Sequence, residues 1–265
     1  MSKDLNPLLA RWAFDPEEFQ VRIVAGLDGR EKIQRRIDLG LLQLEIDGRP
    51  DGATPEGAES YLDHLEARAA ADADFALEPS DCAELLREGL QYYHRYLALF
   101  HLQRYDLVAR DTGRNLRLFA FVVKHASREV DKLQFDQYRP YVTMMHARAR
   151  GLAALERGDH AGALAHIDAG ILGIRAFLAE YDHDESQIVC HDLDVLRRWR
   201  KEVERAQPVG PVERLAQQLD LAVNLEQYEE AARLRDQLRR LRAAGLGVAV
   251  VDSAGDALEL GGDAS

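Results

Sequence analysis

Cysteine is scarce: the chain of 265 residues has two, Cys82 and Cys190. That is too few for a disulfide framework or a structural zinc knuckle, so one free thiol at each position is expected, in a reducing compartment. Long apolar runs are missing as well. No stretch approaches about 20 apolar residues, so no membrane span is expected. The N-terminus, MSKDLNPLLARWAFDPEEF, carries acidic residues early and no apolar run of signal-peptide length. No export is therefore expected, and a cytoplasmic location of bacterial type is the working expectation. Basic charge is outnumbered, with 34 Lys and Arg against 46 Asp and Glu, a net charge of -12. Such a surface repels phosphate polymers and anionic lipid, so direct binding of nucleic acid is not expected. A glycine-rich phosphate loop, a nucleophile elbow and a Cys-x-x-Cys pair are all absent, and no catalytic residue, cofactor or metal is assigned.

What is present is 46% apolar and 30% charged, rich in Ala, Leu, Arg and Glu. This is the composition of a globular, helix-leaning protein with enough length for one or two domains. From Phe19 to Asp47 the apolar residues alternate, which predicts two strands joined by a turn at Leu27-Asp28-Gly29-Arg30. The phase of the second strand shifts near Gly40, which predicts a bulge or bend there. Thr54-Pro55 is expected to open a helix running to about Ala71, and Asp81 with Glu84 to form the capping box of a long helix through Phe100. Polar breaks near Gln103-Arg104, Ala126-Ser127, Gly158-Asp159 and Tyr181 to Glu185 give five or six antiparallel helices between Thr54 and Gln207.

Within that block, Ala149 to Ala163 resembles the tetratricopeptide pattern. Small Gly151 and Ala163 lie twelve apart around the turn Gly158-Asp159, and Ile167 and Gly170 follow at fitting offsets. A degenerate second copy spans Tyr96 to Thr112. A tetratricopeptide-like layer is the reading, with an unrelated helical bundle as its alternative. Pro208-Val209-Gly210-Pro211 marks a domain boundary and hinge.

Beyond the hinge, Val212, Leu215, Leu219, Ala222 and Val223 form one helical stripe. The stripe restarts out of phase at Tyr228, Ala231, Ala232, Leu234, Leu238 and Leu241, so the chain must turn near Asn224 to Gln227. Glu229 and Glu230 in the first turn and Arg239, Arg240 and Arg242 in the last complement the helix dipole. The wording from Ala222 to Leu238, with Glu226, Tyr228, Glu229, Ala231, Ala232, Leu234, Arg235 and Asp236 in place, resembles the UVR motif. That helical hairpin occurs in the UvrB and UvrC subunits of bacterial nucleotide-excision repair. It also resembles hairpins of the bacterial protein-arginine kinase activator and of some Clp ATPase regulatory regions. The resemblance covers about 30 of the 265 residues. It implies a docking module for another UVR-type hairpin, a second copy of the chain or a different protein, and it implies no chemistry. The segment Lys32 to Gly52 resembles the leading part of uncharacterised bacterial proteins that carry a UVR motif at the other end.

The expected fold is mainly α (α+β). It comprises an N-terminal β-hairpin element (1–53), a tetratricopeptide-like helical bundle (54–207), a C-terminal UVR-type helical hairpin (208–243) and a flexible tail (244–265). The expected role is that of a non-enzymatic adaptor holding a protein partner through Leu219, Ala222, Val223, Tyr228, Ala231, Ala232, Leu234, Arg235 and Leu238. Two rivals are set beside it: a DNA-repair accessory, and a metal-dependent enzyme built on His183, Cys190 and His191 within Asp182-His183-Asp184 and Cys190-His191-Asp192. Four further groups are weighed. Arg36, Asp38 and Gln43 are read as cross-strand partners, with a small-ligand site at Arg36, Asp38, Arg49 and Asp51 as the alternative. Tyr92, Tyr93, Tyr96 and Phe100 read as core or groove, and Arg197, Arg198, Arg200 and Lys201 as a solvated face.

Overall fold

A computed structural model describes residues 4–181, 190–207 and 210–243. The chain divides into two compact units, 1–206 and 207–265.

The first unit begins with a short helix, α1 (Asn6–Leu9), and a three-stranded antiparallel sheet of β1 (Val21–Ala25), β2 (Glu31–Ile37) and β3 (Gly40–Glu45) in that order. The Asp28-Gly29 turn forms as expected, with Gly29 at φ +76°. The expected bulge at Gly40 does not form. Ile37 pairs with Gly40 across a two-residue turn, so the apolar parity changes because the chain reverses into a third strand. Ile33 stands opposite both Ile23 and Leu44, and Ile33 and Leu44 are buried against the helices.

Seven helices follow among the described residues: α2 (Tyr61–Ala71), α3 (Pro79–His101), α4 (Tyr105–His125), α5 (Glu129–Asp136), α6 (Arg139–Glu156), α7 (His160–Glu180) and α8 (His191–Ala206). This exceeds the expected five or six because a break at Gln137-Tyr138 separates α5 from α6. Thr54-Pro55 opens only a 3-10 turn, Pro55–Gly57, because Glu56 and Gly57 take positive φ. The helix proper starts at Ser60, whose side chain accepts from the Asp63 N–H. The long helix, by contrast, starts a turn early. Asp81 accepts from the Glu78 N–H at 3.0 Å, while Glu84 pairs with Arg49 and Arg87 instead.

Two apolar clusters hold this unit. One gathers Leu62, Leu65, Leu85, Leu118, Phe119 and Phe135 from α2 to α5. The other gathers Tyr96, Leu99, Val108, Met145, Ile167, Ile174 and Leu196 from α3, α4 and α6 to α8, with the sheet on it. Small residues set the spacing here. A Cβ on Gly151 would stand 2.6 Å from the Trp199 ring, and one on Gly170 would stand 2.5 Å from the Ala147 Cβ. Helix α7 corrects the expectation about apolar runs, since its length and composition alone would suit a membrane span. Ala163, Ile167, Ile171, Ile174 and Leu178 on it are buried, as in the central helix of a packed core.

Two hairpins in this unit are closed by the same turn. After α3, Gln103 takes φ +59°, and the Arg104 N–H reaches the Leu99 carbonyl at 2.9 Å. After α6, Gly158 takes φ +75°, and the Asp159 N–H reaches the Ala154 carbonyl at 2.9 Å. Both are Schellman endings, in which one left-handed residue satisfies the last helical carbonyls.

Candidate functional site

The second unit is a helical hairpin of α9 (Pro211–Asn224) and α10 (Tyr228–Ala243), and its turn falls where the stripe loses phase. Proline at the first position of α9 suits a helix start. The turn repeats the geometry of the first unit a third time. Glu226 takes φ +57°, the Gln227 N–H reaches the Ala222 carbonyl at 2.8 Å, and the Glu226 N–H reaches Val223 at 3.0 Å. In each of the three hairpins the residue accepting the long bond is buried, and so is the residue nine positions later: Leu99 and Val108, Ala154 and Ala163, Ala222 and Ala231.

The expected binding residues separate into two sets. Ala222, Ala231 and Leu234 form the buried seam between the helices, with Leu215 and Leu219 packed on it. Leu234 is 7% exposed, Leu238 is also buried, and Ala232 is half-buried. These residues hold the hairpin together. Val223 and Tyr228 lie outside the seam, and Tyr228 is 71% exposed. Tyr228 is the first residue of α10, so α9 has already ended where a covering side chain would have to come from. Arg235 points to solvent beside Asp236 at 3.6 Å. Sequence reading missed Leu221 and Leu225, which are exposed and four apart. The signal was available, because both fall off the buried stripe, Leu221 within α9 and Leu225 just after its end. The closed end of the hairpin therefore offers Leu221, Val223, Leu225 and Tyr228 to solvent, flanked by Glu229 and Glu230.

The other candidate groups resolve differently. His183 and its neighbours lie outside the described residues; Cys190 is half-buried against the core and His191 begins α8. Among the described residues no three His, Cys, Asp or Glu side chains are placed to hold a metal. The small-ligand site does not assemble. Arg36 donates to the carbonyls of Trp12 at 2.9 Å and Gly40 at 2.8 Å, closing the β2–β3 turn. Gln43 pairs across strands, accepting from Gln34 at 2.9 Å, and Arg36 does so through the Gly40 carbonyl, whereas Asp38 lies in the turn between the strands. Arg200 in the basic run is 2.7 Å from Asp168, so the run is in part an ion-paired face.

A buried ionic network was not visible in the sequence. Arg95 grips Asp111 with two hydrogen bonds, at 2.7 and 2.9 Å, and donates to the carbonyls of Glu45 at 3.1 Å and Gly48 at 2.7 Å. Glu88 on α3 caps α2 by accepting from the Tyr61 N–H at 2.8 Å, and it pairs with Arg114 and Arg49. Burial pulls the Arg114 guanidinium down to about 9. The Tyr92 ring lies between Arg95 and Arg114, at 4.7 and 4.1 Å. Each cation here already faces a carboxylate, so the network ties sheet to helices.

Compared with known families, residues 211–244 match the UVR family model, described as the UvrB/uvrC motif. Comparison with curated proteins and with solved structures gives no significant match.

Proposed function

Taking the UvrB/UvrC motif at residues 211–244 as premise, we propose that this chain is a non-enzymatic adaptor whose C-terminal hairpin captures a protein partner. The observation that carries the reading is the closed end of the hairpin, where Leu221, Val223, Leu225 and Tyr228 are all more than half exposed. Side chains of this kind at an exposed turn lose nothing by burial against another protein, and aromatic anchors contribute most to such contacts. The seam, by contrast, is already spent inside the hairpin and keeps it folded. The helical body is read as a tetratricopeptide-like support, a reading favoured by Gly151 and Gly170, whose missing side chains let α6, α7 and α8 close on one another. A cytoplasmic site of action is part of the proposal, and so is the absence of a cofactor.

The test is affinity capture from the native lysate with three full-length baits: wild type, Leu221→Ser/Leu225→Ser/Tyr228→Ser, and Arg197→Ser/Lys201→Ser as a control on the body. A partner held by wild type and by the control but lost with the triple variant is expected. The same proteins retained by all three baits would sink the adaptor reading. Tight, steeply salt-dependent binding to duplex DNA would favour a repair accessory acting on nucleic acid, against the net charge of -12.

A further inference from the structure

The buried ionic network borders a polar cleft that the adaptor reading does not use. About 270 Å³ lies between Gly48, which follows β3, the start of α2, and helices α3 and α4. Four guanidinium groups line it, from Arg95, Arg110, Arg114 and Arg117. The carboxylates of Glu59, Asp63 and Asp111 stand among them. Among the described residues no aliphatic side chain lines this space, so its walls suit a small and polar occupant.

Most of these charges satisfy one another. Arg95 and Arg110 both hold Asp111, and Arg117 stands 2.6 Å from Asp63. Arg114 and Glu59 stand apart. Arg114 is 9% exposed, and its Nε is a buried nitrogen without a hydrogen-bond partner among the described residues. Its terminal nitrogens donate to Glu88 and, at 3.2 Å, to Asn115, and its face lies on the Tyr92 ring. The guanidinium is thus held in place with one N–H unused. The Glu88 oxygens are themselves occupied, since the Tyr61 and Leu62 N–H groups donate to them at 2.8 and 3.2 Å. A buried donor on a charged group is costly to leave unmade, and an anionic oxygen is its strongest acceptor. Glu59 is the converse case: it is exposed and forms no ion pair among the described residues.

The unused N–H calls for a carboxylate oxygen, and the unpaired acid calls for a cation. Three carboxylates around the cleft disfavour a phosphate dianion, and four guanidiniums disfavour a ligand of positive charge alone. We propose that the cleft is a binding site for a free α-amino acid with a small uncharged polar side chain, whose carboxylate accepts from the Arg114 Nε–H and whose ammonium pairs with Glu59. Burial works against the Arg114 charge, and a carboxylate beside it offsets part of that cost.

The probe is L-serine, titrated into the full chain by isothermal calorimetry beside two analogues. L-Serinamide lacks the carboxylate, and 3-hydroxypropionate lacks the ammonium. Saturable binding of one L-serine per chain is expected. L-Serinamide should bind about tenfold more weakly, the scale of a charge-assisted hydrogen bond, and 3-hydroxypropionate about threefold more weakly, the scale of an exposed ion pair. Glu59→Gln should keep the wild-type melting temperature and weaken L-serine about threefold, yet leave 3-hydroxypropionate unchanged, because the charge that Glu59 would meet is already gone. Arg114→Lys keeps a cation for Glu88 and removes the Nε donor, so the folded variant should bind L-serine about tenfold more weakly. If that variant does not fold, the Glu59 comparison decides alone. Leu221→Ser/Leu225→Ser/Tyr228→Ser should bind L-serine as wild type does. Absence of saturable L-serine binding would overturn the proposal, as would inorganic phosphate binding more tightly than L-serine. So would a Glu59→Gln variant that binds L-serine undiminished or weakens both ligands alike, full affinity in folded Arg114→Lys, or binding that follows the hairpin variant.

Discussion

Replacing Arg95 by Met should destabilise the first unit by about 4 kcal/mol, the scale of breaking a buried ion pair from one side. The structure says where that figure comes from. Arg95 and Asp111 are each 1% exposed at the side chain, and they share two hydrogen bonds. Methionine keeps the volume of the stem but leaves Asp111 with Arg110 alone, at 3.0 Å, and strips the Glu45 and Gly48 carbonyls of a charged donor. The retained Arg110 contact keeps the cost from the top of its range, and the two orphaned carbonyls keep it from the bottom. For a unit of this size the melting temperature should fall by about 10 °C. Thermal and urea unfolding followed by circular dichroism would measure it. Arg95→Met/Asp111→Leu should recover about half of the loss, because the stranded carboxylate is gone while the carbonyls still lack their donor. An Arg95→Met variant within about 1 kcal/mol of wild type, or a double variant that loses the sum of both single effects, would show that the pair is not coupled as described.

Three further outcomes are expected. Burial, with Arg150 nearby, holds the His146 imidazole below its ordinary value of 6.5. The unfolded chain then binds the proton more readily, so this contribution is complete above pH 6.5 and is lost as pH falls towards the folded value; His146→Gln should flatten the stability profile between about pH 7 and 5. The Cys82 thiol is pushed up to about 11 by burial, so in native protein at pH 8 it should resist a disulfide reagent, and its labelling before global unfolding would contradict the burial. Glu226→Gly should stabilise the hairpin by about 0.5 kcal/mol, since glycine accepts the left-handed turn that costs other residues about 1 kcal/mol. A drop in the melting of the hairpin would mean that the Glu226 side chain matters more than its backbone.

Much of the fold was legible because periodicity reports directly on burial. The break in phase between Val223 and Tyr228 located the hairpin turn, and the dipeptide Gly158-Asp159 located another. The same logic misled at Gly40, where a parity shift signals a bulge or a reversal equally well, and only pairing across the strands decides. Thr54-Pro55 and Asp81-Glu84 were reasonable starts whose competitors, Ser60 and Glu78, sat within a few residues. Arg95, Asp111, Glu88 and Arg114 stayed hidden for a different reason. A charged residue on a helix looks the same in sequence whether it meets water or a partner 16 or 26 residues away. At the hairpin, stripe position placed Tyr228 with Leu234, but burial also depends on how far the opposite helix extends.

The shared turn of the three hairpins separates scaffold from recognition in evolutionary terms. Glutamine, glycine and glutamate occupy the left-handed position in turn, and a backbone hydrogen bond of the same pattern closes each loop. The two inward residues fix how the helices meet, and at the third hairpin the exposed residues around the loop take no part in that contact. Selection can therefore rewrite the tip of a hairpin, one substitution at a time, without passing through an unfolded intermediate. At the third hairpin the outward positions carry Leu221, Val223, Leu225 and Tyr228, so a change at any of them leaves the buried pair Ala222 and Ala231 in place.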